Sequence, residues 1–170
     1  VGAGAIGQRM IQLGQGIGMN VIAWTVNASQ ERATTYGVEF VPLERLFRES
    51  DVVSLHVALS TETNKLIKAE HLDAMKPTSI LVNTARGAVV DESALLETLQ
   101  QNRIAGAGLD VFESEPLPAG HPFTKLGNIV LSPHAGGMAY NGTMRGLERA
   151  VENLEAFAAG APIYVVSEGI

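Results

Sequence analysis

The chain opens with Val1-Gly2-Ala3-Gly4-Ala5-Ile6-Gly7, a G-x-G-x-x-G that runs straight into a helical pattern. Residues of these types at this spacing suit a pyrophosphate. The first glycine permits a tight turn, the second lets backbone approach the phosphates, and the third lets helix and strand pack closely. The helix N-terminus adds free amides and the positive end of a dipole. Glycine-rich turns between strand and helix are common, so the context matters. Here a helix follows, then a strand ending at Trp24, within one β-α-β length. An acidic residue that would bind ribose hydroxyls is expected roughly 20 residues on. The second strand instead ends in Thr25-Val26-Asn27, with no carboxylate and no adjacent arginine to hold a 2′-phosphate. Thr25 and Asn27 suit hydrogen bonds to a ribose, or, with Ser29, capping of the next helix. NAD and NADP are both compatible with this pattern.

Three later strands end in polar groups at the edge where open α/β sheets bind ligands. Ser79–Asn83 runs into Thr84-Ala85-Arg86-Gly87, which sets a guanidinium just beyond a buried strand. An isolated arginine there would ordinarily be a solvated turn residue. Ile104–Asp110 ends in Asp110, followed by Glu113, Glu115 and Pro116, and Glu113 reads as a solubilising surface acid. Ile129–Leu131 leads into Ser132-Pro133-His134-Ala135-Gly136-Gly137. A lone histidine is more often structural, but the glycines after His134 favour close approach of backbone to a ligand. The other three histidines, His56, His71 and His121, read as structural or solvated.

These side chains need a frame, and the chain supplies one by alternation. Short apolar, β-branched runs at 21–24, 38–41, 51–57, 79–83, 104–111 and 129–131 read as strands. Helical spacing occupies Ile6–Leu13, the Leu43–Phe47 and His71–Met75 stretches, Asp91–Leu99 and a long segment from about Gly142 to Ala159. Asp91 is placed to cap its helix. Strands alternating with helices imply right-handed crossovers and an α/β doubly wound, mostly parallel sheet of the Rossmann type.

Composition narrows the function classes. The 170 residues have no cysteine, which excludes thiol catalysis, cysteine-based zinc sites and disulfides. A net charge of −6 argues against a large nucleic-acid surface. No apolar run approaches the ~20 residues of a membrane span. The chain starts at Val1, with no initiator Met and no signal-like segment, so a cytoplasmic piece of a longer protein, cut inside its first strand, is the expectation.

Taken together, Gly4-Ala5-Ile6-Gly7, Val82-Asn83-Thr84-Ala85-Arg86-Gly87, Gly108-Leu109-Asp110-Val111-Phe112-Glu113-Ser114-Glu115-Pro116-Leu117-Pro118 and Ser132-Pro133-His134-Ala135-Gly136-Gly137 resemble the D-isomer-specific 2-hydroxyacid dehydrogenases. The resemblance covers essentially the whole chain and concerns the family's cofactor-binding domain. It implies that Arg86 grips the carboxylate and carbonyl of a 2-keto acid and that His134 donates and accepts the proton. Glu115 would hydrogen-bond that histidine and keep it protonated. Asp110 would contact the nicotinamide carboxamide. Gly2, Gly4, Ala5, Ile6 and Gly7 would lie at the pyrophosphate, Thr25 and Asn27 at the ribose. Val57, Thr84, Ala85 and the Ala135, Gly136 and Gly137 backbone would line the rest of the cofactor cleft, with no metal. Two departures stand out: Thr25 replaces the usual ribose-binding Asp, and Ala58 replaces a proline many members carry.

The resemblance implies hydride transfer between NAD(P) and a small 2-hydroxy or 2-keto acid, of the glyoxylate or hydroxypyruvate kind. Non-catalytic nucleotide-sensing or corepressor relatives, and formate- or phosphite-type dehydrogenases, are the alternatives on the same fold. It also implies a homodimer with no nucleic-acid or membrane partner. Residues 1–160 would be the dinucleotide-binding domain, with 161–170 starting the return to a substrate domain that this chain lacks. Such a domain on its own would bind dinucleotide weakly and turn over little.

Overall fold

Strands whose both faces are apolar pair in parallel and must be linked by crossovers, and this is the pattern observed. The computed structural model describes residues 1–138 and 140–165. Strands β1 (Ile22–Ala23) and β2 (Glu39–Phe40) pair in parallel, and β3 (Val52–Leu55), β4 (Ile80–Asn83), β5 (Gly106–Leu109) and β6 (Ile129–Leu131) form a parallel sheet in that order. The register sets Val53 beside Leu81, Leu81 beside Ala107 and Ala107 beside Ile129.

Val1 and Gly2 join the two sets. The Val1 nitrogen donates to Ser54 O and His56 N donates to Val1 O, both at 2.7 Å, while Gly2 N donates to Trp24 O at 2.7 Å. The first two residues therefore form a short strand stub between β1 and β3. Counting that stub as the first strand, the order runs third, second, first, fourth, fifth, sixth, seventh. This is the doubly wound arrangement, with its switch point beside the stub. Ligands of such sheets lie outside the strand ends at that point, which is where the glycine loop begins.

Helices α1 (Ala5–Gly16), α2 (Gln30–Tyr36), α3 (Leu43–Glu49), α4 (Ala69–Asp73) and α5 (Glu92–Gln100) make the crossovers. Ser29 Oγ accepts from Arg32 N at 3.2 Å to cap α2, and Asp91 Oδ1 accepts from Ala94 N at 3.2 Å to cap α5. The core is closed by Phe47, Leu55, Ile67, Leu72, Leu81 and Phe123, each with no exposed surface. Burying such side chains is worth about 1.5–3 kcal/mol apiece, so these residues fix the strands that carry the polar ends. The strands are shorter than the apolar runs predict: β3 stops at Leu55 and β5 at Leu109. Just past these ends, Val57 lies two residues beyond β3 and Asp110 follows β5 directly.

The chain divides into two compact units, Val1–His134 and Ala135–Ile170. In the second, α6 (Tyr140–Ala158) begins two residues before the predicted Gly142 and leaves Leu147, Val151 and Leu154 exposed. The Arg149 guanidinium lies 5.3 Å from the Tyr164 ring centre. The predicted return segment 161–170 falls partly outside the described residues, which end at 165.

Candidate active site

The phosphate loop is built by exclusion of side chains. Gly2 sits at φ +94°, where a Cβ would lie 2.7 Å from the His56 carbonyl carbon and 2.9 Å from Val57 Cγ1. A Cβ on Gly7 would overlap the Gly2 carbonyl oxygen. The chain must therefore lack side chains at both positions for strand stub, helix and β3 to meet. Gly4 is different: a Cβ there meets nothing within 4 Å. It is the N-cap of α1 and supplies no capping side chain, and the first in-helix bond is Gln8 N to Gly4 O at 2.8 Å. The amides of Ala5, Ile6 and Gly7 thus precede the hydrogen-bonded ladder, with open space at Gly4. That is the shape and polarity a dinucleotide pyrophosphate needs, and these residues fit the group. Ala5 and Ile6 are exposed, and Val57 packs against the loop at Gly2.

The 25–27 turn is tied to the glycine loop through Arg32. Its guanidinium donates to Ala3 O at 2.8 Å and to Asn27 O, while Gln8 Nε2 donates to Ala3 O at 3.2 Å. Thr25 is half-buried and Asn27 exposed. The cap of α2 comes from Ser29.

At the end of β4 the buried Asn83 shapes the next turn. Its Nδ2 donates to Arg86 O at 3.0 Å and its Oδ1 accepts from Ala85 N at 3.0 Å. Thr84 and Arg86 are exposed, and Ala85 is half-buried. Arg86 Nη1 donates to Ala85 O at 2.6 Å. The next residue, Gly87, is buried, and a Cβ there would overlap the Phe112–Glu113 peptide. The arginine turn and the acidic turn are pressed together at that point.

Beyond β5, Asp110 is buried; its N donates to Asn83 O at 3.0 Å and its Oδ1 accepts from Ser132 Oγ at 2.6 Å. This ties the ends of β4, β5 and β6 to each other. Glu115 Oε1 accepts from Phe112 N at 3.0 Å, and Glu115 Oε2 lies 2.6 Å from His134 Nδ1. The His134 hydrogen bond, then the Phe112 amide, and lastly the charges of His134 and Arg86 hold the Glu115 carboxyl below the ordinary glutamate range. An ionised carboxylate only accepts, so His134 Nδ1 is the donor and Nε2 is left for another partner. His134 sits at φ +53°, the left-handed region that a side chain seldom adopts. Its strand-end turn is held there by the surrounding backbone.

His134, Glu115, Asp110 and the Arg86 turn are thus brought together from three strand ends. Gly2, Gly4, Ala5, Ile6, Gly7 and Val57 meet at the loop. Ala135, Gly136 and Gly137 belong to the second compact unit. Among the other histidines, His71 is buried at the start of α4, where Lys68 N donates to its Nδ1 at 3.1 Å. His56 Nε2 lies 2.8 Å from Ser54 Oγ, and burial pushes its pKa down to about 4.

The family model described as D-isomer specific 2-hydroxyacid dehydrogenase, NAD binding domain, matches residues 1–136. The chain belongs to that family. Among its relatives is a glyoxylate reductase from Korarchaeum cryptofilum, 48% identical over 160 residues, which cover 94% of this chain and 48% of the relative. A crystal structure of a Thermus thermophilus protein superimposes with a TM-score of 0.90 at 43% identity, covering 98% of this chain and 52% of that one. An acyclic imino acid reductase in complex with NADPH and D-arginine matches with a TM-score of 0.87 at 32% identity, over 98% of this chain and 52% of that one. The chain spans about half the length of these proteins.

Within this D-2-hydroxyacid dehydrogenase domain, sequence reasoning gave no role to Asn83 or Gly87. The signal for Asn83 was present: a polar residue closing an apolar strand just before an arginine turn. Gly87 carried no such signal, because its contact is with a peptide some 25 positions away, brought near by the pairing of β4 with β5.

Proposed function

We propose that the protein is an NAD(P)-dependent reductase of a small 2-keto acid, of the glyoxylate or hydroxypyruvate kind, acting reversibly on the D-2-hydroxy acid. The observation that carries this is the 2.6 Å contact between His134 Nδ1 and Glu115 Oε2 beside the Arg86 turn. The chemistry that NAD(P)H would supply when bound is a hydride for the carbonyl carbon. The remaining work falls to this chain's residues. Arg86, whose planar fork matches a carboxylate, binds the acid group and stabilises negative charge growing on the carbonyl oxygen. His134 gives the proton on Nε2 to that oxygen, completing C–H and O–H where C=O stood, and Glu115 holds the imidazolium and its orientation through Nδ1. In the oxidative direction His134 takes the proton back.

The cofactor assignment has the same structure. Gly4, Ala5 and Ile6 would hold the pyrophosphate, Thr25 and Asn27 the ribose, and Asp110, Thr84 and Ala85 the nicotinamide side. With no carboxylate at Thr25, a 2′-phosphate meets no like charge, so both NAD and NADP are accommodated. A homodimer is part of this proposal, supported by the exposed apolar residues Ile6, Met10 and Leu13 along α1 and Ile17 at its C-cap. Residues 1–160 as cofactor domain with 161–170 leading onward, and a cytoplasmic setting, rest on the kinship.

The deciding experiment is steady-state turnover of the intact protein with glyoxylate, hydroxypyruvate, pyruvate and phenylpyruvate against NADH and NADPH. Reduction of at least one acid is expected. Dinucleotide binding with no turnover on any of them would overturn the proposal in favour of a nucleotide-sensing module.

A further inference from the structure

Outside the site just described, one pair of titratable side chains is joined to the turn that carries Glu115. Glu92 is the first residue of α5, a place where the helix dipole alone would satisfy an acid. Its two oxygens instead point away from their own helix. Oε2 accepts from the backbone N of Glu113 at 3.0 Å, and Oε1 lies 3.4 Å from His121 Nε2. Both side chains are largely sheltered, 19% exposed for Glu92 and 18% for His121. His121 is oriented in turn: its Nδ1 accepts from Phe123 N at 3.3 Å, which leaves the ring proton on Nε2, facing Glu92. Its ring packs 4.9 Å from that of Phe123, a core residue with no exposed surface.

The result is a continuous path from core to site. Phe123 fixes His121, His121 and α5 fix Glu92, and Glu92 holds the Glu113 amide. Two residues further on, Glu115 closes the same turn on the Phe112 amide and reaches His134. Gly87 packs closely against the Phe112–Glu113 peptide, and Lys65 Nζ lies 3.6 Å from the Glu113 carboxylate at the surface. We infer that Glu92, braced by His121, is a positioning residue: it sets the 112–115 turn so that Glu115 meets His134. Glu92 touches neither member of that pair, so it acts through the turn and takes no part in proton transfer. The catalytic consequence rests on the function proposed above; the clamp itself does not.

The test uses the intact protein and three substitutions, Glu92→Ala, Glu92→Gln and His121→Ala. Glutamine keeps an acceptor oxygen for the Glu113 amide, so rescue is built into the series. With Glu92→Ala, kcat for the best 2-keto acid is expected to fall about tenfold or more, as small misplacements at a reacting centre do, with KM for the dinucleotide within about twofold of wild type. Glu92→Gln retains most of kcat, and His121→Ala shows the same split at smaller amplitude. Unchanged kcat in Glu92→Ala, or kcat and dinucleotide KM worsening in step, overturns the inference. If Glu92→Ala does not fold, His121→Ala decides it by the same split. Amide exchange over residues 110–117 is followed in parallel. Protection is expected to drop in Glu92→Ala and persist in Glu92→Gln, and equal protection in both overturns the clamp whatever the activity. Should the wild type reduce no 2-keto acid, the proposed function fails while the exchange result still decides the clamp.

Discussion

His134 Nδ1 stands 2.6 Å from Glu115 Oε2, across 19 residues of sequence and between the loops that follow β6 and β5. The contact assigns a direction to the imidazole: Nδ1 toward the carboxylate, Nε2 away from it. A histidine held this way has one nitrogen engaged and one available, as a proton donor and acceptor must.

The first consequence concerns His134 itself. His134→Ala is expected to lower kcat of the intact protein by about 10²–10⁴-fold, the range for loss of a general acid–base group. Dinucleotide affinity, measured by fluorescence titration, should change little. Equal losses in turnover and nucleotide binding would remove the role assigned to this residue.

A second prediction follows from the acid partner. The largest cause of the depressed Glu115 carboxyl is the His134 hydrogen bond, followed by the Phe112 amide. A folded-state value below the unfolded one means that the pair's contribution is present above the unfolded pKa of about 4.3 and is lost as pH falls through the folded value. Carbon-detected NMR titration of Glu115 should therefore give a value below the ordinary range in the wild type. In His134→Ala that value should move upward toward it, stopping short while the Phe112 amide bond survives.

Arg86 offers a test of geometry against charge. Arg86→Lys keeps the positive charge but loses the planar fork, and the two are not interchangeable at a bidentate site. KM for the 2-keto acid should rise roughly tenfold or more, corresponding to about 1.4 kcal/mol or more, with KM for the dinucleotide held. A lysine variant with wild-type KM would show that Arg86 acts as a distant charge only.

The glycines separate structural from ligand-binding roles. Gly87→Ala forces a methyl into the Phe112–Glu113 peptide, and overpacking of this kind costs about 1–3 kcal/mol. A lower Tm and reduced turnover are expected together. Gly4 has φ −74° and open space at its Cβ position, so Gly4→Ala should leave Tm nearly unchanged and weaken dinucleotide binding. Calorimetry and nucleotide titration on both variants check the contrast, and a destabilised Gly4→Ala would contradict the open cradle.

How much of this was legible beforehand can be traced residue by residue. The glycine loop stood out by its spacing, and Arg86, Asp110 and His134 because each lies at or just past the end of an apolar run, the edge where open α/β sheets bind ligands. The pairing of Glu115 with His134 came from family resemblance, since no local pattern distinguishes Glu115 from Glu113. Asn83, Gly87 and Glu92 went unassigned, and His121 read only as structural or solvated. Their partners lie 3, 25, 21 and 29 residues away. Only Asn83, with its local partner, left a trace in the sequence.

By itself, then, the amino-acid order determined the fold class, the crossovers and the strand ends that bear polar groups, because hydrophobic periodicity and turn chemistry are local properties. Tertiary structure decided which of those polar groups meet. The parallel register of β4, β5 and β6 sets Asn83 beside Leu109 and Leu109 beside Leu131, which brings the three following loops to one edge. Steric contact then does the rest: a bare Gly87 against a peptide, and a carboxylate from α5 on the next turn. Such contacts depend on the close approach of residues remote in sequence, and only the packed core sets that.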